Sequence, residues 1–293
     1  MSFVISTDTS ANLPTAELQW HQLYLLPFSY IVNEVEHQCL DLSAFDGDAY
    51  YEMLRHTPAS TSMISMDQYR QLWEPLLEEG HDILHVGMSS GISGAYQSAV
   101  MAARELREEY PQRRLVVFDT RAASLGEGIQ VLHAATCREA GYTLDETVRE
   151  LAELRPRIRQ IFTVDDLMHL RRGGRVSGVA AAVGRALRIK PLLKGDEAGR
   201  IVVFGKVQGR KRSVRALADN FAANAELLGR WPIGIAHAGC RDEALALAAM
   251  LKESDPKARI ILVDYEPVTG SHVGPGALAM FYVAKEPWSS AIC

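Results

Sequence analysis

The chain has 293 residues, 47% hydrophobic and 23% charged, with a net charge of −5. Such a length suits one large or two modest domains with a sizeable core, and the acidic balance argues against general nucleic-acid binding. Four cysteines without C-x-x-C spacing, and an N-terminal apolar run interrupted by Asp8, predict reduced thiols in the cytoplasm and no signal peptide; no apolar run reaches the ~18 residues of a membrane span.

Apolar runs and helical spacings then alternate along the chain. Strands are expected at Phe3–Ser6 and Tyr24–Val32, the second opening a hairpin that extends to Leu40 with Asn33-Glu34 as its turn. Helices are expected over Asp46–His56 and Met66–Glu78, then a strand at Ile83–Val86 and a helix over Ser93–Glu109 with Ser93 as its N-cap. Next come a strand at Leu115–Phe118, helices over Ser124–Glu139 and Leu144–Leu154, and a strand at Gln160–Val164. Asp165-Asp166 reads as the cap of a short helix around Leu167–Leu170. Helices over Val179–Leu187, Lys211–Leu228 and Arg241–Lys252 and strands at Ile201–Val207, Ile233–His237 and Arg259–Val263 complete the pattern. This order predicts an α/β fold with mainly parallel sheets in two domains, residues 1–156 and 157–293, divided near Arg155-Pro156.

The most informative stretch is Gly87-Met88-Ser89-Ser90-Gly91-Ile92-Ser93-Gly94-Ala95-Tyr96-Gln97-Ser98-Ala99. A strand leads through a serine- and glycine-rich turn into a helix N-terminus, which gathers backbone N–H groups, hydroxyls and the positive end of a helix dipole. That arrangement suits an anion. Gly87-Met88-Ser89-Ser90-Gly91 also fits the G-x-S-x-G elbow of serine hydrolases, with Asp264 and His272 downstream in the matching order and Ser89 as nucleophile. No HGGG-type segment precedes it, and Ser93 and Gly94 have no role in an elbow. A nucleotide phosphate is disfavoured because G-x-x-x-x-G-K-[ST] is absent. A plain tight turn is the third reading.

Other segments carry the same chemistry. Ile5-Ser6-Thr7-Asp8-Thr9-Ser10 closes the first strand, and Thr61-Ser62-Met63-Ile64-Ser65 forms a second hydroxyl-rich loop. Asp119-Thr120 leads to Ala123-Ser124-Leu125-Gly126; Leu170-Arg171-Arg172-Gly173-Gly174-Arg175-Val176-Ser177 precedes Ile189-Lys190-Pro191; Gly270-Ser271-His272-Val273-Gly274-Pro275-Gly276-Ala277 follows. In this order the set resembles the DegV family, the bacterial fatty-acid-binding proteins also called FakB, from residue 2 to about residue 284. The chain departs from the family's usual T-S-Q-P-S loop at Met63 and Ile64, from its S-G-T at Ala95, and from its D-S at Thr120.

The resemblance implies two α/β domains with a long-chain fatty acid held between them. It implies that Thr61, Ser62, Ser93 and Gly94 hold the carboxylate with His272 close by; the large apolar Met63 and Ile64, where the chain departs from the family, are expected to narrow or reshape the tunnel entrance. It further implies a non-enzymatic carrier that presents the acid to a separate kinase of the dihydroxyacetone-kinase-like type, which makes acyl phosphate for phospholipid metabolism. Arg171, Arg172 and Arg175 around the Gly-Gly turn are the candidate docking residues, and Gly209-Arg210-Lys211-Arg212 with Arg215 forms a second basic cluster. Another anionic amphiphile remains an alternative ligand, and acyl-ester hydrolysis through Ser89 an alternative function. No cofactor is expected. No metal site is expected either, since nine histidines include no H-E-x-x-H or H-x-H and His85 and His237 read as core residues.

Overall fold

The computed structural model describes residues 3–176, 189–227 and 229–288. The expected helix over Val179–Leu187, and Ser177, lie outside them. The chain divides into two compact units, one of Met1–Phe45 and Ser60–Arg155, the other of Asp46–Ala59 and Pro156–Cys293. Residues 46–59, which a single cut at 156 leaves in the first domain, are therefore part of the second unit.

In the first unit, strands β1 (Val4–Asp8), β2 (Tyr24–Leu26), β3 (Ser29–Val32), β4 (Val35–Gln38), β5 (Ser60–Ser62), β6 (Ile83–Gly87) and β7 (Leu115–Asp119) form two sheets. The larger is parallel, in the order β2-β1-β6-β7, as expected of strands joined by helical crossovers. The expected single strand Tyr24–Val32 is broken at Pro27-Phe28, so β2 stays in this sheet and β3 starts a small antiparallel one with β4 and β5. The β3–β4 turn is the expected Asn33-Glu34, both residues at positive φ, which matches a hairpin turn whose twist follows the strands. The helix Met66–Glu78 starts on a capping box of Ser65 and Gln68 and buries Tyr69, Trp73, Leu76 and Leu77. The helix Ala95–Glu109 presents Ala95, Ala99, Ala102 and Ala103 to the core.

In the second unit, β8 (Ile158–Thr163), β9 (Ile189–Gly195), β10 (Ile201–Gln208), β11 (Ile233–His237), β12 (Ile260–Asp264) and β13 (Leu278–Val283) form one sheet in the order β10-β9-β8-β13-β11-β12. Here the parallel expectation fails: only β11 and β12 run parallel, and the other four pairings are antiparallel. Two strands absent from the sequence reading cause this. Pro191 disguises β9, but it sits beyond the end of the β8 ladder, so no donor is missed on that side. β13 is a continuous apolar run, buried at all six positions, and such a run does not declare its period. It occupies the centre of the sheet between β8 and β11. The helices Arg210–Asn224 and Arg241–Ser254 contribute Leu217, Phe221, Leu247 and Leu251 to the core over it.

The helix Gly47–Leu54 is held to this unit by its tyrosines. Tyr51 Oη donates to the Tyr265 carbonyl at 2.6 Å, and Tyr50 Oη bonds the Pro267 carbonyl at 3.0 Å and Ser271 Oγ at 2.7 Å. Gly270 is required for this seat, because a Cβ there would fall 2.1 Å from Tyr51 Oη.

Candidate functional site

The turn after β6 is built from below. His85 on β6 is buried, with Nδ1 3.1 Å from Ser6 Oγ, and Trp73 Nε1 donates to the same oxygen at 3.0 Å. Burial pushes its pKa down to about 3, so it is a neutral core histidine, as expected. Gly87 lets the backbone pass: a Cβ there would lie 2.5 Å from His85 Nε2 and 3.4 Å from Asp8 Oδ2. The Met88 N–H then donates to Asp8 Oδ2 at 3.0 Å.

Each serine of the turn has a different position. Ser89 is fully buried, its N–H donates to the Ala122 carbonyl, and its Oγ accepts from Gly91 N at 3.0 Å. Ser90 bonds Asp119 at the end of β7, through Oγ at 2.6 Å and through N at 3.2 Å. Ser93 is half-buried, and its Oγ accepts from Ala95 N at 3.2 Å. Its hydroxyl hydrogen has no acceptor among the described residues. The helix proper begins at Ala95 after Gly94, so Ser93 is not the N-cap position but serves a first-turn N–H from one residue further out.

The second hydroxyl loop comes alongside. Thr61, half-buried on β5, pairs with Tyr30 of β3, while Ser62 is exposed. Met63 is 52% exposed and lies over the turn, since a Cβ on Gly94 would fall 2.8 Å from its Sδ. Ile64 points the other way and is fully buried. Met63 and Ile64, grouped in the sequence, therefore have separate environments.

His272 belongs to the second unit, on the helix Pro267–Val273. A Cβ on Gly173 would fall 2.4 Å from its Nδ1, and reciprocally a Cβ on Gly274 would fall 2.4 Å from His169 Cδ2. The two glycine motifs thus make room for two histidines. Burial, then the Arg175 charge, lowers the His272 pKa to about 4, so it is neutral near pH 7. Arg175 is half-buried and its Nη1 donates to the Gly173 carbonyl, bracing the turn, whereas Arg171 and Arg172 are exposed. Leu167 is the N-cap of the short helix, and Asp166, one residue further out, accepts from the first-turn Met168 N at 2.9 Å, while Asp165 bonds Lys190 Nζ at 2.8 Å. Two of the four basic residues in the second cluster are paired: Arg210 with Glu243 at 2.6 Å and Arg215 with Asp219 at 2.8 Å.

The elbow reading does not survive this geometry. A nucleophile must be reachable, and Ser89 is buried with its oxygen holding Gly91. Asp264 stands 3.1 Å from His237 Nδ1, its register partner across β11 and β12. Among the described residues no group of three or more His, Cys, Asp or Glu can hold a metal ion, and no helix is long and apolar enough to cross a membrane. Sequence reasoning missed His169, although it stands two residues before the Arg-Arg-Gly-Gly turn. It also missed Glu127, an isolated acid in the apolar stretch Leu125-Gly126-Glu127-Gly128-Ile129.

The family model for DegV, "Uncharacterised protein, DegV family", matches residues 2–285. The chain belongs to the DegV family. A DegV domain-containing protein of Clostridium perfringens is 36% identical over 289 residues, covering 97% of this chain and 99% of that protein. Among solved DegV structures, a fatty acid binding DegV family protein from Streptococcus agalactiae is 30% identical, with a TM-score of 0.84 over 98% of this chain and 100% of that one. DegV of Bacillus subtilis, a fatty acid binding protein, is 28% identical, with a TM-score of 0.82 over 97% of this chain and 100% of that one. The α/β DegV fold thus extends along nearly the whole sequence.

Proposed function

We propose that this DegV protein binds a long-chain fatty acid, with the carboxylate on Thr61, Ser62, Ser93 and Gly94 and with His272 in the same polar network. The observation that carries this reading is the Ser93 hydroxyl, which keeps its hydrogen for an outside acceptor in a family whose solved members include fatty acid binding proteins. The energetics agree. Each buried methylene contributes roughly 0.8 kcal/mol, so ten supply about 8 kcal/mol gross, comparable to micromolar affinity before the costs of association. The head group then needs orientation and hydrogen bonds rather than a fixed cation. A neutral His272 suits that role. Met63 lying over Gly94 is the feature that would tune which amphiphile enters.

The finer part of the proposal is presentation to a separate dihydroxyacetone-kinase-like fatty-acid kinase, in the bacterial cytoplasm and in the service of phospholipid synthesis. The exposed Arg171 and Arg172 support it, because they flank the turn that backs His272, while Arg175 is spent on bracing that turn. Native mass spectrometry with lipid extraction tests the first part: protein from a bacterial host should carry about one long-chain acid per chain. A lipid-free preparation that also refuses added palmitate or oleate rejects it. For the second part, Arg171→Glu with Arg172→Glu should leave lipid affinity unchanged and lower kinase-dependent acyl-phosphate formation by about tenfold, less so in high salt. Joint loss of lipid and phosphorylation would place the arginines in the binding site instead.

A further inference from the structure

Beneath the turn lies a buried polar centre that the fatty-acid reading does not use. Asp8 at the end of β1 and Glu127 in the first turn of the helix Leu125–Glu139 are both 0% exposed. Neither has an arginine or lysine partner among the described residues. Ser10 Oγ lies between them, 2.6 Å from Asp8 Oδ1 and 2.5 Å from Glu127 Oε2. A hydroxyl has one hydrogen, and at such separations it serves one acceptor. The other contact therefore needs a hydrogen on a carboxyl group.

The neighbouring donors decide which one. Asp8 already accepts two backbone N–H groups, Ser10 N at 2.9 Å on Oδ1 and Met88 N at 3.0 Å on Oδ2. Glu127 accepts none. Its other neighbour, Thr7 Oγ1 at 3.2 Å, gives its hydrogen to the Val86 carbonyl at 2.8 Å. Asp8 is thus the carboxylate and Glu127 the neutral acid, with Glu127 donating to Ser10 and Ser10 to Asp8. Burial raises the Asp8 carboxyl, against the lowering by its Ser10 and Met88 hydrogen bonds, and pushes the Glu127 carboxyl well above the usual range, with the Asp8 charge pushing Glu127 further. The other titratable groups facing the pair are His85 on β6, Tyr69 on the helix Met66–Glu78, and Cys39, which lines a small cleft with Asp8. His85 is neutral, and burial holds Tyr69 well above the usual phenol range. None supplies a cation.

We propose that Asp8, Ser10 and Glu127 form a one-proton clasp that positions the Met88–Gly94 turn, so that ligand affinity falls when Glu127 ionises. This inference rests on the fatty-acid reading of that turn. The link is Met88 N–H, the donor that Asp8 holds just before Ser89 begins the turn. A second negative charge would leave Ser10 unable to serve both carboxylates, and like-charge repulsion would pull Asp8 from Met88. Asp8, Ser10 and Glu127 are positioning residues; none is proposed to touch the ligand.

The test compares the wild-type protein with Glu127→Gln, whose amide donates but does not ionise. Oleate affinity is titrated from about pH 6 to about pH 9, and exchange of the Met88 amide is followed in the ligand-free protein. The clasp predicts that wild-type affinity falls by about tenfold more than that of Glu127→Gln across this range, with wild-type Met88 protection falling in parallel. Superimposable profiles in both readouts overturn it. Failure of both proteins to bind oleate at any pH, with Met88 protection still diverging, upholds the clasp and rejects the fatty-acid reading. Should Glu127→Gln not fold, carboxyl carbon-13 NMR of the wild-type protein decides: a protonated Glu127 at neutral pH supports the clasp, and an ionised one overturns it.

Discussion

The two glycine-rich turns of this protein are anchored by opposite chemistry. In the first unit, Met88–Gly94 hangs on buried acids, with Asp8 holding Met88 N–H and Glu127 behind it. In the second, Gly173-Gly174 is backed by His272 and braced by Arg175. Both keep titratable groups in neutral form by burial, but the signs differ. The Glu127 carboxyl is raised, so its contribution to stability is present at low pH and is lost as pH rises above the usual carboxylate range. The His272 imidazole is lowered to about 4, so its contribution is present above about pH 6.5 and is lost as pH falls toward 4. A polar turn can therefore be fixed from either side of neutrality, and the pH limit it acquires reveals which.

The largest effect expected from breaking this comparison is on packing. Gly270→Ala places a Cβ 2.1 Å from Tyr51 Oη, whose hydroxyl is buried and bonded to the Tyr265 carbonyl. Overpacking together with a lost buried hydrogen bond should cost about 2–4 kcal/mol in denaturant unfolding. Gly94→Ala meets only the flexible, half-exposed Met63 and should cost well under half of that. Equal losses would mean that the buried Tyr51 hydroxyl yields as readily as the Met63 side chain.

A smaller effect is expected at the ligand. Ser93→Ala removes one hydrogen bond to a carboxylate and should weaken fatty-acid binding by roughly 1.5–3 kcal/mol in calorimetric titration. Thr61→Ala should act similarly, and the double variant should lose less than the sum because both hydroxyls serve one group. Unchanged affinity in the double variant would move the site elsewhere.

A third test sharpens the sign argument. With His272→Gln, the stability lost between about pH 6.5 and pH 4 should shrink by at most about 1.4 kcal/mol per pH unit relative to wild type. Parallel stability curves would show that His272 stays in contact with water and does not carry the proposed acid limit.

What the sequence determined by itself was local. Alternation and turn chemistry are written in near neighbours, so the Asn33-Glu34 hairpin and the helix Met66–Glu78 were legible, as was the parallel sheet of the first unit with its strand-turn-helix. The ordered motifs also sufficed for the family. Tertiary structure decided what depends on partners far along the chain. The run Leu278–Val283 became a central antiparallel strand only because β8 and β11 lie on its two sides. Residues 46–59 joined the second unit because Tyr50 and Tyr51 find their acceptors at Pro267 and Tyr265. Ser89 was excluded as a nucleophile by burial, and Asp8 was joined to Glu127, 119 positions later, by a serine between them; hydrogen-bond partners and solvent exposure are properties of the folded chain, which no local pattern encodes.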